Sequence, residues 1–489
     1  SFVLRPEARR ISTTLPPTSP RVPGRPPRPR ARRRRALFAR ELRELLGVAG
    51  PLVVSQLGQG GMNTADTIMV GPLGAEALAA AGLGSAIHIA TLMLFTGTIL
   101  GMTPLVSQAF GAGDRERCSQ VLVQGVWMSL ALSVPLAWLT FLGGDIARLF
   151  GQEPGVARLA GEYMAALAWG VLPALLFLAL RQYLEGMGIT TPAMVMTFVG
   201  LAVNVAGNAL LIHGVEGWVP AMGVVGSGWA TTLTRWAMAL AMAGYLLLHP
   251  RLRPFRGVDW RPHAATLRRI AAIGVPIGTQ LGVEVGLISF TAIMVGWFGP
   301  TELAAHQVTI NLASITFMVA LGVSLAGSIR VGQHLGAGSA RGVRRATLAT
   351  YLCTLGFMSL CALAFFLFPR QLVGLYTSDP GILRVATSLL VVAAFFQVFD
   401  GAQVAGLCAL RGAADTRVPM LMAVVGYWVI GVPVGWLLGF HTPLGPAGVW
   451  AGLSAALGTV ALLLAWRTRR VLWDPELVRK AGPAARARA

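Results

Sequence analysis

Charge is what this sequence has least of. Asp, Glu, Lys and Arg make up 12% of its 489 residues, against roughly 25% in ordinary soluble domains. Apolar runs fill the chain from Leu46 to Trp466, which excludes a soluble enzyme with a membrane anchor. Cysteine is scarce too. Cys118, Cys353, Cys361 and Cys408 show no CxxC spacing, so there is no disulfide framework and no cysteine metal site, only small core residues. The GxxxxGK[ST] phosphate loop is missing, so the chain holds no ATP motor. HExxH, GxSxG and a paired-aspartate diphosphate site are missing as well, and with them the constellations an intramembrane enzyme needs. No organic cofactor is implied.

What is present is an all-α membrane protein that crosses the bilayer many times. Gly (59) and Pro (29) are abundant, as in bilayer helices that pack closely and break locally. A span needs roughly 20 apolar residues. About twelve such spans lie near 47–71, 81–106, 119–142, 158–180, 192–213, 222–247, 270–297, 304–328, 345–368, 382–409, 418–439 and 446–466. The net charge of +20 comes from Arg at span ends and in the tails, so it reads as topology rather than as a nucleic-acid surface. One set of loops carries Arg115, Arg117, Arg181, Arg251, Arg253, Arg256, Arg268, Arg269, Arg330, Arg345 and Arg411, together with both tails. The alternate loops carry only Arg148, Arg158, Arg370 and Arg384. The positive-inside bias then puts both termini in the cytoplasm.

The expected organisation follows. Residues 1–35 are a disordered basic cytoplasmic tail, with too little apolar surface to fold. Residues 36–46 form a short interfacial helix with Leu37, Leu42, Leu45 and Leu46 on one face, suited to a membrane surface. Six spans make an N-lobe at 47–247, residues 248–269 are a cytoplasmic linker, six more spans make a C-lobe at 270–466, and 467–489 are a second basic tail.

The two halves repeat at a spacing of 225 residues. Pro51 recurs as Pro276, Ile68-Met69-Val70-Gly71 as Ile293-Met294-Val295-Gly296, and Gln108-x-x-Gly111-Ala112-Gly113 as Gln333-x-x-Gly336-Ala337-Gly338. At 226 residues, Gly186 and Thr190 recur as Gly412 and Thr416. Six spans per repeat give both halves one orientation, so they are related by an axis along the membrane normal, with a substrate path between them.

The ionisable residues inside the spans are few: Asp66, His88, Arg235, Glu284, His306 and Asp400. A buried carboxylate at that depth costs at least about 2.5 kcal/mol and marks a pathway. The repeat sharpens the choice. Glu284 falls opposite Gln59, Asp66 opposite Thr291 and Asp400 opposite Ala174. A requirement of the shared frame would be met twice, so acids found once belong to function. A proton, a sodium ion and a cationic substrate can compete for Glu284 and Asp400. Asn204 and Asn208 are four apart and share a helix face. With Thr231 they can add oxygen ligands around Asp66, as a hard cation wants. Arg235 is expected to snorkel or pair, and His306 to pack or to bond between helices.

The sequence also resembles the multidrug and toxic compound extrusion (MATE) family, in its NorM-like bacterial branch. The resembling strings are Met62-Asn-Thr-Ala-Asp66-Thr-Ile-Met-Val-Gly71, Ala304-Ala-His306-Gln307-x-x-x-Asn311, Ser328-Ile-Arg330-Val-Gly332, and Phe399-Asp400-Gly-x-Gln403 followed by Leu410-Arg411-Gly412-x-x-Asp415-Thr416. The resemblance covers about residues 45–465. It implies two six-helix lobes around a V-shaped cavity and outward movement of cationic drugs or metabolites in exchange for H⁺ or Na⁺. It matches Glu284 and Asp400 to a C-lobe cation site, and Asp66, Asn204 and Asn208 to an N-lobe polar site. Some relatives carry an acid where this chain has Asn208, which leaves the N-lobe site with one charge. The expectation is a monomer in the bacterial inner membrane, with the lipid bilayer and small molecules as its partners. The rival readings are a lipid-linked oligosaccharide flippase of the same superfamily and a major-facilitator-like antiporter. The first favours a more basic cavity. The second wants an Asp-Arg-x-Gly-Arg-Arg-like loop where this chain has Gly111-Ala-Gly-Asp-Arg-Glu-Arg.

Overall fold

The computed structural model describes residues 30–474 and residue 476, apart from 216, 217, 219, 250, 251 and 253–257. Most of the tails expected at 1–35 and 467–489 lies outside these residues, as do Arg251, Arg253 and Arg256 of the linker.

Twelve long helical stretches carry the described chain. They are α1 (Arg30–Val70), α2 (Ala75–Gly111), α3 (Arg115–Phe141), α4 (Pro154–Ala168 and Val171–Gly186, bent by 47°), α5 (Thr191–His213), α6 (Gly223–Leu248), α7 (Ala264–Gly296), α8 (Pro300–Gly336), α9 (Ala340–Leu367), α10 (Pro380–Gly412), α11 (Arg417–Phe440) and α12 (Pro446–Leu472). Among the described residues nine helices are long and apolar enough to cross a membrane, ten when the halves of α4 count as one. The two that bring the number to twelve are α1 and α6. They are less apolar because they carry Gln59, Asn63 and Asp66, and Thr231, Thr232 and Arg235.

The first six helices form one lobe and the last six the other. Leu122, Leu175 and Tyr183 centre the N-lobe core, and Leu389, Tyr427 and Trp450 the C-lobe core. Each lobe lends its first helix to its partner. Ile270, Ile273 and Ile277 of α7 complete the N-lobe core, while Leu45, Ala49 and Leu52 of α1 pack on Val323, Ala326 and Ile329 of α8.

That packing corrects the expected start of the chain. Residues 36–46 are not a separate interfacial helix. They are part of α1, which runs without a break from Arg30 through Pro51 to Val70. Residues 30–35 of the expected disordered tail belong to the same helix. The four leucines do not share a lipid face either. Leu45 is fully buried and Leu42 packs beside it against α8, while Leu37 and Leu46 are exposed. The apolar stripe is spent on the other lobe rather than on lipid, and an ion pair described below fixes it there. The linker is also narrower than expected, since α7 already begins at Ala264. Its end is tied to α3. The Gln124 side chain donates to the Arg261 carbonyl (2.9 Å), and Trp127 Nε1 donates to the Trp260 carbonyl (2.7 Å). At the other end, α12 carries residues 467–472 of the expected second tail, and Arg467 pairs with Asp415 at 2.9 Å.

The lobes meet along two seams, α1 against α8 and α2 against α7, and between them the end of α2 packs on the end of α8. The contacts are reciprocal, as a twofold axis requires. Gln108 Nε2 donates to the Gly412 carbonyl at 3.0 Å, and its repeat partner Gln333 donates to the Gly186 carbonyl at 3.3 Å. Gly111 and Gly336 allow this approach. A Cβ added at Gly111 would lie 2.0 Å from the Gln333 oxygen, and one at Gly336 would lie 1.9 Å from the Gln108 oxygen. The rest of the repeated motif turns the chain. Gly113 and Gly338 take positive φ (77° and 66°) to end α2 and α8, a conformation glycine adopts without strain. Asp114 and Ser339 then cap the next helices.

Both seams lie in the half of the bundle that carries the basic loops. Close glycine contacts between the lobes reach only as far as Gly60 against Met318 and Gly97 against Gly278. Beyond them α1 exposes Asn63, Thr64 and Thr67, and α8 exposes Gln307, Asn311 and Ser314. Polar side chains at membrane depth belong against protein or water, not lipid. These rows therefore line a cleft that opens at the end away from the basic loops.

Candidate functional site

The C-lobe places its two acids on one cavity. Glu284 comes from α7 and Asp400 from α10, and the space of about 70 Å³ between them is walled by Leu287, Ile310, Phe317 and Tyr427. Asp400 is buried and Glu284 half-buried. Among the described residues neither carboxyl has a hydrogen bond or an ion pair. Two acids in an apolar chamber, with only the field of Arg411 acting on Glu284, call for a proton or a cation to compensate them. The size of the chamber decides what else enters. It has room for an ion and a few waters, whereas drug-sized ligands occupy roughly 300–1,000 Å³.

Tyr427 is a wall residue that sequence reasoning missed. It is fully buried, and it sits where α11 widens into a π-turn over Val425–Gly431. Such turns re-aim side chains and recur at functional sites. Gly426 and Gly431 flank it and let α12 approach closely at Ala456 and Val460. Two glycines five apart around a tyrosine were the signal available in the sequence.

The N-lobe gathers its predicted residues differently. Asp66 of α1 accepts from Asn208 Nδ2 at 2.6 Å. The same nitrogen reaches Asn204 Oδ1 at 3.3 Å, and Asn204 Nδ2 reaches Thr231 Oγ1 of α6 at 3.5 Å. Asn204 and Asn208 are fully buried and Thr231 nearly so. The four side chains named from sequence thus form one chain of hydrogen bonds across α1, α5 and α6. Asn208 Oδ1 has no partner among the described residues, and it is the one oxygen of that amide free to meet a cation or a water. Arg235 acts on Asp66 through its charge and meets His88 Nε2 at 3.1 Å. It pairs rather than snorkels. Beside this network Tyr163 and Ser85 share a hydrogen bond of 3.1 Å, a pair that nothing in the sequence singled out.

The structure does not bring the two groups of candidates together. Each stays within its own lobe. His306 lies apart from both and accepts from Trp450 Nε1 at 3.2 Å, with both rings buried. It bonds between helices, as expected of it. No group of three or more His, Cys, Asp or Glu with metal-site geometry occurs among the described residues.

The strings that carry the family resemblance divide between these places. Asp66 and Asp400 sit in the two polar sites. Gly332 lies between the lobes, where a Cβ would meet Ser107, while Gly412 packs on Ser328 within the C-lobe, where a Cβ would meet the Ser328 carbonyl. Thr416 closes the C-lobe by donating to the Ile273 carbonyl at 2.9 Å.

Comparison with known proteins agrees with this division. The MatE family model matches the chain twice, at residues 51–210 and 276–437, and the two matches begin at the repeated prolines. A probable multidrug resistance protein NorM of Rhodopseudomonas palustris is 38% identical over 443 residues, covering 89% of this chain and 93% of that protein. The multidrug resistance protein MdtK of Edwardsiella ictaluri is 36% identical over 451 residues, covering 90% of this chain and 97% of that protein. Among solved structures, the eukaryotic MATE transporter AtDTX14 superposes with a TM-score of 0.81 at 20% identity, covering 91% of this chain and 98% of that one. An outward-facing MATE family transporter superposes with a TM-score of 0.80 at 22% identity. Two family matches on two repeated lobes, and relatives along nearly the whole length, make this chain a NorM-like member of the MatE family of membrane transporters.

Proposed function

We propose that this protein is a multidrug efflux antiporter of the bacterial inner membrane that exports cationic, amphipathic compounds in exchange for H⁺ or Na⁺. The relatives named multidrug resistance proteins support drug efflux. The observation that carries the coupling is the C-lobe cavity, where Glu284 and Asp400 face one chamber with no hydrogen-bond or ion-pair partner among the described residues. The basic loops are cytoplasmic, so the cleft opens outward. An ion or proton enters from outside and occupies Glu284 or Asp400, or the Asp66 network with Asn204, Asn208 and Thr231. The drug then leaves, and the lobes rock to close the cleft and open the seams inward. The coupling ion drives this only by binding the two facings with different affinity. A flippase handling an anionic lipid-linked glycan would want cations in the cleft walls, and the acids here oppose that reading.

The test is efflux of a cationic dye from energised cells lacking their own pumps. The native chain is compared with Glu284→Gln at matched membrane expression. Loss of efflux with the variant still folded supports coupling at that acid. Full efflux by the variant sinks the site while keeping the pump. Replacing Na⁺ by a large organic cation at constant pH separates the two coupling ions.

A further inference from the structure

The two seams are equivalent in backbone but not in charge. On the α1–α8 seam, Arg330 grips Glu41 through Nε (2.9 Å) and Nη2 (3.1 Å) and also bonds Glu44. His334 meets Glu41 at 2.8 Å. At the repeat spacing of 225 residues, Glu41, Glu44, Arg330 and His334 correspond to Thr266, Arg269, Leu105 and Ala109 on the α2–α7 seam. No ion pair can form there. In its place is a cavity of about 460 Å³ that Leu105, Thr266 and Arg269 line, with Arg117 reaching in from α3. Arg269 thus stands where the other seam has an acid.

Arg117 and Arg269 come from different lobes and repel one another. Among the described residues neither guanidinium has a hydrogen bond or an ion pair. Two carboxylates also border the cavity; each accepts a hydrogen bond from a neutral donor and neither is ion-paired to Arg117 or Arg269 among the described residues. Asp114 caps α3 by accepting from the Arg117 backbone N–H at 2.9 Å, and Glu116 accepts from Gln120 at 3.4 Å. Two free guanidinium forks on an open cavity suit the bidentate recognition of phosphate. Arg115 and Arg268 are exposed nearby but do not line the cavity.

We propose that this cavity binds a phosphate-bearing anion, held between Arg117 of the N-lobe and Arg269 of the C-lobe. The anion bridges the lobes on this seam as the Glu41–Arg330 pair does on the other, and it favours the closed seam. A phospholipid head group of the adjacent leaflet and a free phosphate share this chemistry, so the test separates them.

The full chain is purified in detergent and its thermal unfolding is followed by tryptophan fluorescence. Phosphatidylglycerol is titrated in one arm and inorganic phosphate at constant ionic strength in another. Monoolein, which has no phosphate, is the control. A ligand that binds only the folded state raises the unfolding temperature. The native chain and Arg115→Gln are expected to respond to the phosphate-bearing probe but not to monoolein. The R117Q/R269Q double variant should need at least about tenfold more probe for the same rise, a loss of about 1.4 kcal/mol, because both charge-assisted contacts are gone. The single variants R117Q and R269Q are measured alongside, so a poorly folded double variant does not spoil the comparison. An arginine-dependent response to phosphatidylglycerol names the lipid as the source, and one to phosphate alone names the free anion. Equal responses of native and variant chains to every probe overturn the proposal.

Discussion

The two lobes handle buried acid in opposite ways. Asp66 in the N-lobe is bonded to Asn208 and lies in the field of Arg235, so its charge is partly met by the protein. Glu284 and Asp400 in the C-lobe face a small chamber with no bonded partner among the described residues, and only the field of Arg411 acts on Glu284. The backbone frame is the same, since Thr291, the counterpart of Asp66, simply bonds its own helix at the Leu287 carbonyl (2.8 Å). The difference teaches where work can be coupled. A satisfied acid stabilises one arrangement, whereas an unsatisfied pair must take its charge from whatever ion arrives, and so can sense it.

The largest expected effect breaks the C-lobe side of this comparison. Glu284→Gln removes one of two uncompensated charges and should lower dye efflux at least about tenfold, the value of about 1.4 kcal/mol of coupling energy. Asp66→Asn should cost clearly less in the same assay, because Asn208 and Thr231 keep the N-lobe packed. If Asp66→Asn is the more damaging, the ranking of the lobes is reversed.

Next come the seams that hold the lobes in register. Gly336→Ala forces a methyl onto the Gln108 carbonyl, and overpacking of this kind costs roughly 1–3 kcal/mol. A lowered unfolding temperature and loss of transport are expected, and the same from Gly111→Ala at the matching position. Unequal effects of the two would show that the two halves of this α2–α8 contact do not share the load.

The ion-pair seam makes a pH prediction. Burial works to raise the Glu41 carboxyl, and hydrogen bonds from His334 and Arg330 more than reverse this, holding it at about 2 against an ordinary 4.5. Glu41 lies in α1 ahead of the span, within reach of the aqueous phase. A lowered folded-state value gives stability that is full above the unfolded-state value and is lost as pH falls. Between pH 4.5 and 2 the seam should therefore lose about 3 kcal/mol. Glu41→Gln should flatten that part of the unfolding-temperature profile, and an unchanged profile would remove Glu41 from the seam.

The smallest expected effect sharpens the N-lobe side. Asn208→Asp places a second carboxylate beside Asp66 and makes this lobe resemble the C-lobe, with two acids and too little counter-charge. Efflux should persist, with its dependence on pH or Na⁺ shifted by less than Glu284→Gln shifts it. An unchanged ion dependence would mean that the N-lobe network is structural.

The sequence by itself determined the class, the repeat and the candidate acids. These are local or periodic properties. A span needs only enough apolar residues in a row, a repeat needs only matching strings, and a buried charge is conspicuous because it is costly. The repeat singled out Asp66 and helix periodicity paired Asn204 with Asn208, while Thr231 was named only as a further oxygen ligand. Tertiary structure alone decided the rest. Whether residues 36–46 lie on lipid or on the other lobe depends on a partner nearly 290 positions away, where Arg330 draws Glu41 in. That Glu284 and Asp400 share a chamber, with Tyr427 aimed into it by a π-turn, depends on how α7, α10 and α11 pack. The glutamines of the repeated motif are identical in sequence terms, yet only the folded chain shows each donating to the other lobe. The physical reason is the same in every case. Burial and periodicity are written along the chain, but a contact between distant helices is settled by the summed packing of the lobes, which no single stretch encodes.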